Sequence, residues 1–544
     1  MKFSKLAQVY DRIQQTSGEP QKSRLLAGLM RGTDAKTLEA IAHFTAGEPV
    51  DPQMTDRLGI GPGAIRAALT AVSGKAESKI DDEVKQTGDL SEVVFQYADG
   101  TDKLTVDGLW EIANQTIKHN KDRIGLIERV LTNTTPAGAK YFTRMTLNQM
   151  RIGVGMGTLI RSIGEAFEVD AALVERLYVL TNDIGLAATQ AQRGEKVLRR
   201  ADLTLFRPYQ FMSAHKIDDP KAIFDRLKGK QIIFEVKYDG ARLQIHIRNG
   251  NKPQIKCYSR RLNDDTEAMP DVVAAVRKSW TGGDAIIEGE VVAYDKALKK
   301  KQPFQAVLTR LGRKHDIEEK ARELPLVLYL FDLIYLDGKD LMELPQAERR
   351  QMLATLFRPT DRVKLSDGIT TDRIEKQDKF FQRAIKAGHE GLMAKDPDAT
   401  YLPGRRTDRW MKLKPEFETL DVAVVGGIYG TGRRRGLLSS LIVAVRDKDT
   451  FKPVGKVGTG FSEATLKELT SKLEPKIITT RGSHAEIEPE MVIEVDFQDI
   501  QKTTAYASGY ALRIPRFRRE RTDKSLREAD TIARLKRLYD QVHK

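Results

Sequence analysis

From Met1 to about Gln192 apolar residues recur mostly at intervals of three and four, as in LWEIANQTIKHNKDRIGLIERVL and TLIRSIGEAFEVDAALVERLYVL. That spacing lines one face of a helix, so this third of the chain is predicted to be all-helical. Between about Arg200 and Phe417 the pattern changes to short runs rich in β-branched and aromatic residues: QIIFEVKYDG, ARLQIHIRNG, DAIIEGEVVAYD and LPLVLYLFDLIYLDG. Helical stretches such as MPDVVAAVRKSW and KFFQRAIKAG interrupt them, which predicts an α+β region with antiparallel hairpins. Beyond KPEFETL, the runs DVAVVGGIYG, LSSLIVAVRD, FKPVGKVGTG and MVIEVDFQDI are separated by Gly-rich and charged turns, as in a small barrel, and SLREADTIARLKRLYDQV closes the chain as a helix.

A chain of 544 residues exceeds one hydrophobic core, so several domains are expected. No run approaches the roughly 18 apolar residues needed to span a bilayer, and the N-terminus lacks the apolar stretch of a secretory signal. The single cysteine, Cys257, excludes an intramolecular disulfide and a Cys-rich zinc site. These features fit a reducing intracellular location, cytoplasmic or nucleoid-associated, with no membrane partner. A formal net charge of +14 favours a polyanionic partner, of which nucleic acid is the commonest.

Lys237, in KYDGAR, has two readings. Asp-Gly between alternating apolar residues is a hairpin signal, which leaves the lysine on the solvent face. Other predicted strands also carry charge among apolar residues, however: Glu288 and Glu290 in IIEGEVV, and Glu390 and Lys395 in GHEGLMAK. Charge on half-buried strands is costly unless paired or used. Lys412 and Lys414 in WMKLK share one strand face by their spacing of two.

Taken in order, KYDGAR, YSRR, EGEVV, YLFDLIYLDG, EGLMAK, WMKLK and LRIPRFRRERTDK resemble the motif set of covalent nucleotidyltransferases, most closely the three-domain ATP-dependent DNA ligases. The helical third resembles, more loosely, the DNA-encircling domain of these ligases through MTLNQMRIGVGMGTLIRSI. The resemblance implies three domains: a helical DNA-binding domain (1–199), an α+β adenylyltransferase domain (200–417) and a C-terminal OB-fold barrel (418–544). It implies ATP and Mg²⁺ as cofactors, nicked duplex DNA as substrate and a monomer; no segment assigns a sliding clamp.

By the same resemblance Lys237 is the nucleophile that carries AMP, and neighbouring cations and metal must favour its neutral amine. Glu235 matches the position that reads the adenine amino group. Arg242 and Arg260 match phosphate- and ribose-side positions, suited to a planar guanidinium. Glu290 and Glu390 match the metal carboxylates, with the ribose hydroxyls an alternative for Glu290. Phe331 matches the ring stacked on adenine. Lys412 and Lys414, with Lys395 beside them, match the groups facing the α-phosphate. Arg519, Arg521 and Lys524, in a cationic cluster with Arg513, Arg516 and Arg518, match the pyrophosphate-orienting segment. That assignment asks for a hinge near KPEFETLDV. RIGVGMGT does not fit the phosphate-loop spacing, and its Gly153 and Gly155, beside Arg144 and Arg151, are expected to admit DNA phosphate.

An RNA ligase or an mRNA-capping guanylyltransferase shares the lysine and several segments, while the helical third, WMKLK and RERTDK favour DNA ligation. An NAD-dependent ligase carries a Cys-ligated zinc module, which one cysteine does not supply. A non-catalytic nucleic-acid-binding scaffold is the alternative from another class. Intact Lys237, Glu290, Glu390, Lys412 and Lys414 weigh against it.

Overall fold

The computed structural model describes every residue except 55–57, 119–121, 296–299, 303, 416–418, 431–433 and 544. It divides into two units, Met1–Lys414 and Pro415–Lys544.

The first unit begins with the predicted helices, which run from Phe3–Gln15 to Glu195–Leu198. Their apolar stripes meet in one core that includes Phe3, Ile41, Phe44, Ile127 and Phe142. Asp34, Asp89, Asp122, Thr135, Asp170 and Asp183 accept from backbone N–H groups at helix starts, satisfying donors that have no partner within the helix. Within this core His43 is 1% exposed, stacks on Trp110 and lies 2.8 Å from Glu48 and 3.2 Å from Asp183. Burial alone would push its pKa down, but the two carboxylates outweigh burial and hold it up at about 9. A raised pKa adds stability that is fully present below the ordinary value of 6.5 and lost as pH climbs through about 9. Stability of this unit against thermal unfolding is therefore expected to fall by about 3 kcal/mol across that window, and His43→Gln to flatten the slope.

Two sheets follow, built from β1 (Ser213–Ile217), β2 (Ile232–Lys237), β3 (Ala241–Arg248), β4 (Gln254–Ser259), β5 (Ala285–Asp295), β6 (Lys300–Lys301), β7 (Leu326–Leu336), β8 (Lys339–Asp340), β9 (Val363–Leu365), β10 (Gly368–Thr371), β11 (Gly391–Lys395) and β12 (Arg406–Leu413). One has the order β1-β12-β11-β2-β10, the other β4-β3-β5-β7-β8, with β6 and β9 on its edges. Pairing is antiparallel except for β1 with β12 and β7 with β9.

The expected KYDGAR hairpin does not form, because β2 and β3 belong to different sheets. The bend carries the chain from one sheet to the other, and neither Asp239 nor Gly240 adopts the positive φ of a tight hairpin turn. Gly240 is needed for a different reason: a Cβ there would lie 2.3 Å from the Val291 carbonyl oxygen and 2.9 Å from Glu290 Cγ. The glycine lets the backbone leaving Lys237 press against β5, which carries Glu290.

In the second unit β13 (Leu420–Tyr429), β14 (Leu438–Asp447) and β15 (Thr450–Val457) form a meander, and β13 also pairs β17 (His484–Ile487) and β18 (Val492–Asp496). Strands β16 (Ile477–Arg481), β19 (Asp499–Lys502), β20 (Tyr510–Arg513) and β21 (Arg516–Glu520) complete it. β18 pairs β21, and a single bridge from Thr459 to Arg516 returns β21 to the end of β15, the path of an OB-type barrel. Helix Glu463–Leu473 packs on β14, and the closing helix is Ile532–His543, preceded by a short 3₁₀ turn at Leu526–Glu528. The central residues of the expected hinge, KPEFETLDV, lie outside the described residues.

Candidate active site

Lys237 ends β2, and alternation places Ile233, Glu235 and Lys237 on one face of that strand. Its side chain is 22% exposed and forms an ion pair with Glu390, whose own backbone N–H donates to the Lys237 carbonyl at 3.0 Å. Lys414, one residue beyond β12, lies 3.3 Å from the same Glu390 oxygen. Burial would push the Glu390 carboxyl up, but the two ammonium charges override it and hold its pKa at about 2. Lys412 is shifted down, by burial first and then by the charges of Lys237, Lys414, Arg406 and Arg260. Arg260 itself is exposed just beyond β4.

The facing sheet supplies the opposite wall. Across β3 and β5, Arg242 stands opposite Glu290, and Tyr329 of β7 is the next neighbour. Burial raises Glu290 to about 7, with Lys237 and Arg242 opposing the shift and Glu390 and Asp239 adding to it. Arg242 donates to the Met212 carbonyl at 2.8 Å and to Glu288 at 2.5 Å, and its guanidinium lies over the rings of Phe211, at 4.6 Å, and Phe331, at 5.4 Å. Glu288 is fully buried and also accepts from the Tyr209 and Tyr401 hydroxyls, at 2.5 and 2.6 Å. It is thus a structural anchor for Arg242. Sequence reasoning saw the charge of Glu288 but could not see its three donors, which come from remote segments.

Glu235 is buried, with Lys395 Nζ 2.7 Å from one oxygen and Arg350 Nε 3.0 Å from the other. Lys395 is itself buried, 4.8 Å from the Phe331 ring centroid and 4.5 Å from that of Trp410; burial, ahead of the opposing Glu235 and Asp332 charges, shifts it down. Phe331 is accordingly not a plain core residue: it is half-buried between cations. Residues 237, 390, 412, 414, 290 and 242 are brought together, and 235, 395 and 331 adjoin them.

The remaining expected residues lie elsewhere. Arg519, Arg521 and Lys524 belong to the second unit, where Arg519 pairs Glu494 at 2.6 Å while Arg521, at 2.8 Å, and Lys524, at 2.5 Å, both hold Asp421. Arg144 does not face DNA as expected. It is 3% exposed and donates to Ser91, Gln14 and Glu92 at 2.8–2.9 Å, so it is a buried cation that ties helices together. Arg151 is partly exposed, with φ of 53° and a 2.7 Å contact to Asp89. Gly153 has φ of 66°, and a Cβ there would strike Lys22 Nζ at 2.4 Å. Gly155 caps the exposed start of helix Met156–Phe167, with nothing within 4 Å of where its Cβ would lie.

Three family models match the chain in order: "DNA ligase N terminus" over residues 2–164, "ATP dependent DNA ligase domain" over 211–414, and "ATP dependent DNA ligase C terminal region" over 434–524. A DNA ligase of Thermococcus fumicolans is 39% identical over 99% of this chain and 98% of its own length. The chain belongs to the ATP-dependent DNA ligases. A DNA ligase of Archaeoglobus fulgidus, 37% identical over 99% of this chain and 98% of its own, supports the same assignment. The solved structure titled Pmar-Lig_PreS3 shares the fold, with a TM-score of 0.59 at 18% identity over 95% of this chain and 99% of that one. Among the described residues of this ligase no helix is long and apolar enough to cross a membrane.

Proposed function

We propose that this ligase seals 3′-hydroxyl/5′-phosphate nicks in duplex DNA by way of AMP carried on Lys237. The supporting observation is the convergence of Lys237, Lys412 and Lys414 with Glu290 and Glu390 where two sheets meet. In the first step Lys237 Nζ, as the neutral amine, attacks the ATP α-phosphorus, the bond to the β-phosphate oxygen breaks and pyrophosphate leaves. A DNA 5′-phosphate oxygen then takes the AMP from Lys237, and the 3′-hydroxyl attacks that 5′-phosphate, releasing AMP.

Lys412 and Lys414 offset negative charge gathering on the α-phosphate, a contribution among the largest in phosphoryl transfer. Arg242, held by Glu288, fixes the ribose and phosphate side. Phe331 offers an aromatic face and Glu235 an acceptor to adenine. Glu290 and Glu390 fit Mg²⁺, which takes one or two protein carboxylates when phosphates and water complete its shell, and when bound it supplies charge neutralisation at the phosphates.

Arg519, Arg521 and Lys524 are assigned to pyrophosphate, and the chain to a DNA-binding domain at 1–199, an adenylyltransferase domain at 200–417 and an OB domain at 418–544. Arg151, Gly153, Gly155 and the start of helix Met156–Phe167 are assigned to the DNA backbone, where exposed N–H groups favour phosphate and binding weakens steeply with salt. The ligase is assigned as an intracellular monomer.

The test incubates the protein with Mg²⁺ and α-labelled ATP, GTP or NAD and follows label that survives denaturation. Retention from ATP, and its loss on adding nicked DNA, is the expected result; label from GTP alone points to the capping-type reaction instead. With Glu290 at about 7, its carboxylate form dominates only above that pH. Mg²⁺ is therefore expected to bind the free protein about tenfold more weakly at pH 6 than at pH 8, a difference that Glu290→Gln removes, as read by metal titration.

A further inference from the structure

The carboxylate assigned to adenine is held from both ends. Lys395 Nζ is 2.7 Å from Glu235 Oε2, and Arg350 Nε is 3.0 Å from Oε1. Arg350 projects from helix Gln346–Thr355, and its Nη2 donates to the Ser366 carbonyl at 2.5 Å, which anchors the guanidinium just before β10. Its Nη1 is buried and finds no hydrogen-bond acceptor among the described residues. Glu235 and Arg350 border a pocket of about 510 Å³ whose other walls include Ile233, Leu365, Gly368 and Thr370. Gly368 faces Glu235 across β10 and β2, and a Cβ there would lie 3.2 Å from Glu235 Cγ and 2.7 Å from the Phe234 carbonyl oxygen. The space beside the carboxylate is thus kept open by a glycine on one side and bounded by a guanidinium on the other.

We propose that Arg350 is a positioning residue for nucleotide selection: with Lys395 it clamps Glu235 so that the free lone pairs of the carboxylate meet the exocyclic amino group of adenine in one orientation. The proposal rests on the reading above, in which Lys237 takes AMP from ATP and Glu235 accepts from that amino group. A carboxylate has about four acceptor sites, and Oε1, ion-paired to Arg350 but without a hydrogen-bond partner among the described residues, leaves room for the base. Without Arg350, Glu235 keeps Lys395 but turns about that single tether, and its aim is lost. Ionic hydrogen bonds of this kind carry selectivity because an analogue that lacks the donor leaves the site's acceptor unpaired.

The test compares ATP with purine riboside triphosphate, which lacks only the amino group, in single-turnover labelling of the full chain, alongside sealing of a nick that already carries AMP. In the wild-type protein ATP is expected to be preferred. Arg350→Ala is expected to raise the ATP concentration for half-maximal labelling and to shrink the preference over the analogue, each by about tenfold. The maximal labelling rate and the sealing of pre-adenylated nicks are expected to stay within about twofold. An unchanged preference in Arg350→Ala overturns the proposal, as does an equal fall in all measurements including pre-adenylated sealing, which marks a merely structural role. Arg350→Lys keeps a cation on the same helix without the planar fork; should Arg350→Ala not fold, a reduced preference in Arg350→Lys supports the proposal and an unchanged one overturns it. A wild-type protein that takes both triphosphates equally removes the adenine reading of Glu235 itself, and the role of Arg350 with it.

Discussion

Lys237→Ala is expected to retain no AMP after denaturation and to seal no ordinary nick above background, while nicks supplied already adenylated are still joined. The expectation follows from which bond needs the amine. In the proposed reaction only formation and discharge of the P–N bond use Nζ, whereas the final attack of a 3′-hydroxyl on an activated 5′-phosphate would rely on the surrounding cations and metal. Labelling and sealing of the two DNA substrates, measured side by side, check it. A simple loss of folding removes all activities together, so pre-adenylated sealing is the informative arm. Lys237→Arg is expected to behave as Lys237→Ala does, because a guanidinium keeps the charge but cannot be deprotonated to attack.

The second large effect is at Glu390. This carboxylate sits between the ammonium groups of Lys237 and Lys414, and their charges outweigh its burial and hold it at about 2. Glu390→Gln leaves two cations facing each other without a counter-charge and removes one of the two carboxylates assigned to Mg²⁺. Self-adenylylation at saturating ATP is expected to fall by about 10²–10³. The Mg²⁺ concentration for half-maximal rate is expected to rise with it. If the pair is structural only, heat stability falls instead and the Mg²⁺ dependence is unchanged. Because the Glu390 pKa is depressed, any stability it adds is present above the ordinary carboxylate value and lost only as pH falls through about 2. Such a loss has no effect near neutrality, which separates it from the pH dependence of Mg²⁺ binding expected at Glu290 near pH 7.

Much of the site was legible because its chemistry sits on strands whose alternation is visible in sequence. Glu290, Lys412 and Lys414 fall on faces that period-two spacing identifies, and Lys237 was legible as the odd charge in an apolar run. What sequence could not show is which strands pair. Asp-Gly after β2 reads as a hairpin by any local rule, yet long-range pairing sends β2 and β3 to separate sheets, and Gly240 serves a close approach to Val291 instead of a tight turn. Arg144 failed for the reverse reason. In sequence it is one more arginine in a basic chain, and only the fold brings Ser91, Gln14 and Glu92 around it. Arg350 gave no signal either, since ERRQ on an amphipathic helix reads as surface charge until Glu235 is seen against it.

Lys237, and no other lysine of the cluster, is proposed to carry AMP. The most direct measurement is mass spectrometry of peptides from protein incubated with ATP and Mg²⁺, with acid exposure kept brief to preserve a phosphoramidate. The predicted result is AMP on Lys237, removed when nicked DNA is added and recovered on the DNA 5′-phosphate before sealing. AMP on Lys412, Lys414 or Lys395, or AMP on Lys237 that nicked DNA does not discharge, contradicts the account.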